Sequence, residues 1–155
     1  MNSAAIALGS NLGDREAHLA FAVGRLRNVL SDVLSNVSVS AWRETEAVTA
    51  NPQPAYLNGA LTGKTTMSPW ALLQTLQAIE RERGRERPYP EAPRTLDLDL
   101  ILYGSEVLAE DGLRVPHPRF RERAFVLEPL AEIAPDWIEP QTGLTIAELL
   151  QRLRG

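Results

Sequence analysis

Thr95-Leu96-Asp97-Leu98-Asp99-Leu100-Ile101-Leu102-Tyr103 is the clearest strand pattern in the chain. A strand's period of two puts Leu96, Leu98 and Leu100 on one face and Asp97 and Asp99 on the other. Ile101 and Tyr103 continue the acidic face as apolar residues, so the carboxylates are expected on an otherwise buried-looking surface. Their Cβ atoms then stand about 6–7 Å apart. Two ionised carboxylates there need a partner, and hard divalent cations take one or two carboxylates together with substrate phosphates. The competing reading is a solvated face on an edge strand, where charge blocks aggregation.

Immediately before this strand lies a segment rich in arginine and proline. Arg81, Arg83, Arg85, Arg87 and Arg94 are interspersed with Glu80, Glu82, Glu86 and Glu91, and Pro88, Pro90 and Pro93 break the stretch into a loop. Arg81 and Arg83 fit the polar, salt-bridged end of a helix as well as a ligand site. Arg85 and Arg87 lie beyond Gly84, where the prolines prevent a helix, and Arg94 abuts the acidic strand. Guanidinium forks beside a two-carboxylate metal site suit a polyphosphate.

Further upstream, Ser68-Pro69 marks a helix start, a capping hydroxyl followed by proline at the first helical position. Leu72, Leu76 and Ile79 form that helix's apolar stripe, which should end near Arg83. Ala4–Leu8 reads as a buried strand closed by Gly9-Ser10-Asn11. A helix from Asp14 carries Leu19, Val23, Leu26 and Leu30 at spacings of three and four. Residues 34–42 alternate as a half-buried strand, and Tyr56–Thr62 reads as its hairpin partner. Downstream, residues 113–118 read as turn-rich, 124–130 as a short helix, and Thr145-Ile146-Ala147-Glu148 as a capping box opening a last helix. The order is strand, helix, strand, strand, helix, strand, then a helical tail. It predicts a ferredoxin-like α+β sandwich, an antiparallel sheet with both main helices on one face, formed by a single domain over residues 1–155.

Composition narrows the chemistry. The 155 residues are 44% hydrophobic and 23% charged, the balance of a soluble globular domain. With no cysteine, thiol catalysis, disulfide scaffolds and cysteine-dependent zinc or iron–sulfur sites are excluded. The net charge of -4, and a basic loop whose one aromatic is Tyr89, argue against nucleic acid as a partner. No basic leader and no run of about 18 apolar residues is present, so a cytoplasmic protein without membrane contact is expected.

Two motifs mislead. Gly63-Lys64-Thr65 resembles the end of a phosphate-binding loop, but the required glycine five positions earlier is Asn58. His18 falls on the first helix's flank and reads as structural. His117 is different: Pro116-His117-Pro118 constrains it, and Arg119, Arg121 and Arg123 follow. It suits phosphate contact as well as a plain rigid loop.

Together these stretches resemble the 6-hydroxymethyl-7,8-dihydropterin pyrophosphokinase family of folate biosynthesis. The likeness rests on Leu8-Gly9-Ser10-Asn11-Leu12, Tyr56-Leu57-Asn58, Pro93-Arg94-Thr95-Leu96-Asp97-Leu98-Asp99, Val115-Pro116-His117-Pro118 and Arg123-Ala124-Phe125-Val126-Leu127, in order along essentially the whole chain. It implies a monomeric enzyme that moves the diphosphate of ATP to the pterin's hydroxymethyl group, releasing AMP. By the same resemblance, Asp97 and Asp99 bind two Mg2+ and form the catalytic set with Arg85 and Arg94. Glu80, Arg85, Arg87, Arg94, His117 and Arg123 serve the nucleotide. Thr45, the backbone near Val48, Tyr56, Asn58 and Phe125 serve the pterin.

Where the family usually carries a loop tryptophan, this chain reads Tyr89-Pro90-Glu91-Ala92. Either Tyr89 substitutes from a shifted position or the second stacking partner is missing. The loops at 45–54 and 84–93 are the expected lids. Another nucleotide-dependent transferase, or a non-catalytic domain holding a structural cation, would share the carboxylate pair.

Overall fold

A computed structural model describes residues 2–31, 37–45, 55–83 and 95–155. The main sheet contains β1 (Asn2–Ser10), β2 (Ser38–Val39), β3 (Arg43–Thr45), β4 (Tyr56–Thr65) and β5 (Asp97–Tyr103). All its pairings are antiparallel; the order is β2-β4-β1-β5, with β3 also on β4. Helices α1 (Arg15–Ser31) and α2 (Pro69–Glu82) cover one face. Helices α3 (Ala124–Ile133) and α4 (Ile146–Arg154) cover the other. This is the expected α+β sandwich, with the C-terminal helices closing its second side.

The first core joins Ile6, Leu8, Leu61, Leu98 and Leu100 to Leu19, Ala22 and Leu26 of α1 and Leu72, Leu76 and Ile79 of α2. Ser68 Oγ accepts the Ala71 N–H at 3.1 Å and caps α2, as its Ser-Pro start predicts. The second core sets Ala5, Ala60, Ile101 and Leu102 against Phe120, Leu127 and Leu130, with Ile146 and Leu149 from α4. The Thr145–Glu148 capping box that opens α4 is formed in both directions.

Three local expectations are corrected. Ala5 pairs with Leu102 and Ile6 with Leu100, so Ile101 is an extra residue in β5. That bulge reverses the alternation. Ile101 stays on the aspartates' face, whereas Tyr103 turns into the first core and donates its hydroxyl to the Met67 carbonyl.

Secondly, the strand read over residues 34–42 is reduced to β2, and pairing resumes as β3; residues 34–36 lie outside the described residues. Between them Ser40 Oγ accepts the Ala60 N–H at 2.9 Å, and Trp42 packs over Gly59. Thirdly, Leu113–Val115 is β7, paired with β6 (Leu108–Glu110) around an Asp111-Gly112 turn. Gly112 has φ +83°, which glycine supplies without strain. Gly63-Lys64-Thr65 sits in the β4 ladder opposite Ala4, Ser3 and Asn2, and forms no phosphate loop.

Gly59 carries the tightest packing. A Cβ there would lie 2.3 Å from Trp42 Cε3 and Cζ3. Gly59→Ala is therefore expected to cost about 1–3 kcal/mol through overpacking, read as a lower midpoint in urea unfolding. An unchanged midpoint would mean that the indole moves aside freely.

Candidate active site

The acidic strand and its neighbours set a row of side chains on the α3 side of the sheet, with Gly9 as the floor of the trough between them. In the ladder Asp97 faces Gly9, Gly9 faces Asn58, and Asn58 faces Arg43; one step along, Asp99, Ala7 and Ala60 form a parallel row. Directly opposed residues share a face. Asp97 and Asn58 thus rise on either side of a bare glycine, roughly 10 Å apart by strand spacing. A Cβ on Gly9 would approach Asn58 Oδ1 to 3.0 Å and Tyr56 Cδ1 to 3.4 Å, so both side chains lean over it.

Asn58 is buried, and its Nδ2 donates to Thr45 Oγ1 at 2.5 Å. Thr45 is the ladder partner of Tyr56, so Thr45, Tyr56 and Asn58 gather at one end of the trough. Phe125 stands in the first turn of α3, half-buried, with the Arg123 guanidinium 5.6 Å from its ring centroid. Arg123 begins the helix through its carbonyl, which accepts the Val126 and Leu127 N–H groups at 3.0 Å.

His117 is tied to β5 through its backbone, its N–H donating to the Ile101 carbonyl at 2.9 Å. Its Nδ1 accepts the Arg119 N–H at 3.2 Å, which leaves the proton of the neutral ring on Nε2. Burial, then the positive charge of Arg123, lower its pKa below 6.5; Asp97 opposes that shift and Arg119 adds to it. His117 therefore lies within the fields of both Arg123 and Asp97.

Beside the outer edge of β5 is a cavity of about 330 Å3. Leu73, Leu100 and Leu113 supply apolar walls; Asp99, Arg114 and His117 supply polar ones, with Gly112 and Pro118 completing the rim. Asp99 thus belongs to the cavity as well as to the aspartate face.

Glu80 ties α2 to the acidic strand. On the last turn of α2 and buried, it accepts the Leu98 N–H on Oε2 at 2.8 Å. Its carboxylate fixes β5 at the residue between the two aspartates. His18 lies on α1 and accepts the Arg83 Nε–H on Nδ1 at 3.0 Å, a structural bond as expected.

Val48, Arg85, Arg87, Tyr89 and Arg94, with most of both expected lids, lie outside the described residues. Leu73, Leu113 and Arg114 were not anticipated as site residues. The signals were slight: Leu73 stands beside the α2 stripe, and Arg114 is the polar member of Leu113-Arg114-Val115.

Among the described residues no cluster of three or more histidines or carboxylates forms a ready metal cage. A pair of half-buried carboxylates on one strand face fits a hard cation that completes its shell with phosphate and water.

The family model for 7,8-dihydro-6-hydroxymethylpterin-pyrophosphokinase (HPPK) matches residues 5–135. The chain belongs to this family. The 2-amino-4-hydroxy-6-hydroxymethyldihydropteridine pyrophosphokinase of Synechocystis is 43% identical over 152 residues, covering 98% of this chain and 76% of that protein. Its Bacillus subtilis counterpart is 46% identical over 132 residues, covering 85% of this chain and 78% of that one. A Plasmodium falciparum HPPK-DHPS structure shares the fold at TM-score 0.71 and 13% identity; the match covers 97% of this chain and 43% of that longer one. The chain is accordingly an ATP-dependent pyrophosphokinase of folate biosynthesis, acting on a dihydropterin.

The fold disfavours the His117 imidazolium, so this residue's contribution to stability is complete above pH 6.5 and is lost as pH falls through the lowered pKa. Followed by NMR, its ring should titrate below 6.5, higher in Arg123→Ala and lower still in Asp97→Asn. An unchanged titration in both variants would separate His117 electrically from both residues.

Proposed function

We propose that Asp97 and Asp99 hold magnesium on the phosphates of ATP, between a nucleotide cavity on one side and a pterin trough on the other. The observation that carries this reading is that Asp99 serves both places: it lines the cavity, and it shares its sheet face with Asp97 and Asn58 across Ala7 and Gly9.

The cavity's three leucines suit the flat faces of a base, while His117 Nε2–H and Arg114 from its lining are donors for ribose and phosphate, joined by Arg123 from beside Phe125. Arg85, Arg87 and Arg94 would add guanidinium forks from the arginine-rich segment. Across the trough, Asn58 and Thr45 offer amide and hydroxyl groups to the pterin's polar edge. Tyr56 borders the ring, Phe125 stacks on it, and the backbone at Val48 completes the edge contacts. Glu80 serves the nucleotide through β5, holding the aspartates in register.

In the reaction, the pterin's hydroxymethyl oxygen forms a bond to the β-phosphorus of ATP and releases its proton to solvent. The bond from that phosphorus to the bridging α,β-oxygen breaks, and AMP leaves with that oxygen. Asp97 and Asp99 would hold the two Mg2+, which when bound would supply charge neutralisation on the phosphates and lower the pKa of the attacking hydroxyl. The protein's own work is positioning: the Asp97–Asp99 pair, the trough and the cavity hold both substrates in line. Residues 1–155 would do this as one monomeric domain in the cytoplasm; no helix among the described residues is long and apolar enough to cross a membrane.

Phosphorus NMR with Mg-ATP and 6-hydroxymethyl-7,8-dihydropterin should show AMP and the pterin diphosphate in equal amounts, and chelation should abolish both. ADP as product would overturn the reading. Asp97→Asn and Asp99→Asn should each lower kcat by at least about 100-fold in a protein that circular dichroism shows to be folded. A variant that lost stability but kept its turnover would mark the pair as a structural cation site.

A further inference from the structure

The β6–β7 hairpin is hydrogen-bonded to no other strand among the described residues, yet Gly112, Leu113 and Arg114 form one wall of the cavity. A two-stranded hairpin is marginal by itself, so the wall's position depends on what grips it. Leu113 and Val115 are buried in the first core and hold the hairpin's return strand. Its tip is held differently.

The Trp70 Nε1–H donates to Glu110 Oε2 at 2.8 Å, and the indole packs on the turn, where a Cβ on Gly112 would meet Cη2 at 3.5 Å. Trp70 precedes Leu73 by three residues on α2, so the two share a helix face. Leu73 lines the cavity itself; Trp70, 39% exposed, reaches past it to the hairpin.

We propose that Trp70, with Glu110 as its acceptor, is a positioning residue for the nucleotide: it latches the β6–β7 tip to α2 and so sets the width of the cavity. The inference rests on the cavity being the nucleotide's seat, as proposed above. Releasing the latch changes none of the cavity's lining atoms. It lowers the fraction of molecules whose wall stands close enough to contact a flat base, and apparent affinity falls with that fraction. The pterin trough lies on the sheet face covered by α3 and is untouched.

The test measures binding of a nonhydrolysable ATP analogue with magnesium to the full chain by calorimetry, alongside steady-state kinetics. Trp70→Ala and Glu110→Ala should each weaken the analogue about 5–10-fold. Glu110→Gln, which keeps an oxygen acceptor for the indole, should bind as the unaltered chain does. All three should leave kcat and the pterin KM within about twofold. Leu73→Trp, which fills the cavity, should abolish analogue binding.

If Leu73→Trp abolishes binding while Trp70→Ala and Glu110→Ala bind normally, the latch is wrong and the nucleotide seat stands. Losses that fall equally on the pterin, or a Glu110→Gln as weak as Glu110→Ala, also overturn the latch. If a folded Leu73→Trp binds the analogue normally, the seat itself is wrong and the inference falls with it.

Discussion

The register between β1 and β5 is the constraint on which the site depends. Because the strand period is two, a slip of one residue would turn Asp97 and Asp99 into the core beneath α1 and α2 and expose Leu98 and Leu100 on the trough. The buried leucines oppose that slip, and so do polar bonds to β5. Glu80 takes the Leu98 N–H, Ser10 Oγ donates to the Thr95 carbonyl at 2.5 Å, and the His117 N–H takes the Ile101 carbonyl. Breaking the first would leave a buried N–H unpaired, at about 1–3 kcal/mol. Stability and site geometry are therefore fixed by the same bonds.

An edge strand is an unusual place for so much apolar sequence, since its free N–H and C=O groups invite another chain. Here Glu80 and the His117 backbone occupy part of that edge, and what they supply is also functional geometry. Through its backbone bond, His117 keeps a constant relation to the aspartates even though it is far along the chain from β1 and α2. The bulge at Ile101 marks where the strand changes duty. Up to Ile101 the α3-side face carries carboxylates; beyond it Leu102 packs against the C-terminal helices while Tyr103 closes the first core.

Much of this was legible because short-range chemistry decided it. Leu-Asp-Leu-Asp could only be a two-faced strand once both main helices needed a leucine face, and Ser68-Pro69 and Thr145–Glu148 name their helix starts through their own hydrogen bonds. The motif resemblance, more than any spacing, drew Asn58, His117 and Phe125 into one site. What escaped depended on partners distant in sequence. Tyr103's face is set by an extra residue opposite β1, Glu80's role by one strand N–H, and the hairpin around Asp111-Gly112 by contact with α2. Three-residue strands give too few alternations to count.

The electrostatics follow from the same placement. A site that neutralises polyphosphate needs donors that keep their protons and carboxylates that stay ionised. Arginine satisfies the first requirement at any ordinary pH, and all the basic residues of this chain except Lys64 are arginine. His117 satisfies it by another route. Burial and Arg123 keep the ring neutral, and the Arg119 N–H on Nδ1 holds the remaining proton on Nε2. A neutral imidazole with a fixed tautomer is a donor of constant direction, whereas an imidazolium would lose its bond to Arg119. The half-burial of His117 and the positive charge of Arg123 thus favour one state: a neutral ring with its donor fixed on Nε2, on the wall of the cavity that Asp99 also lines.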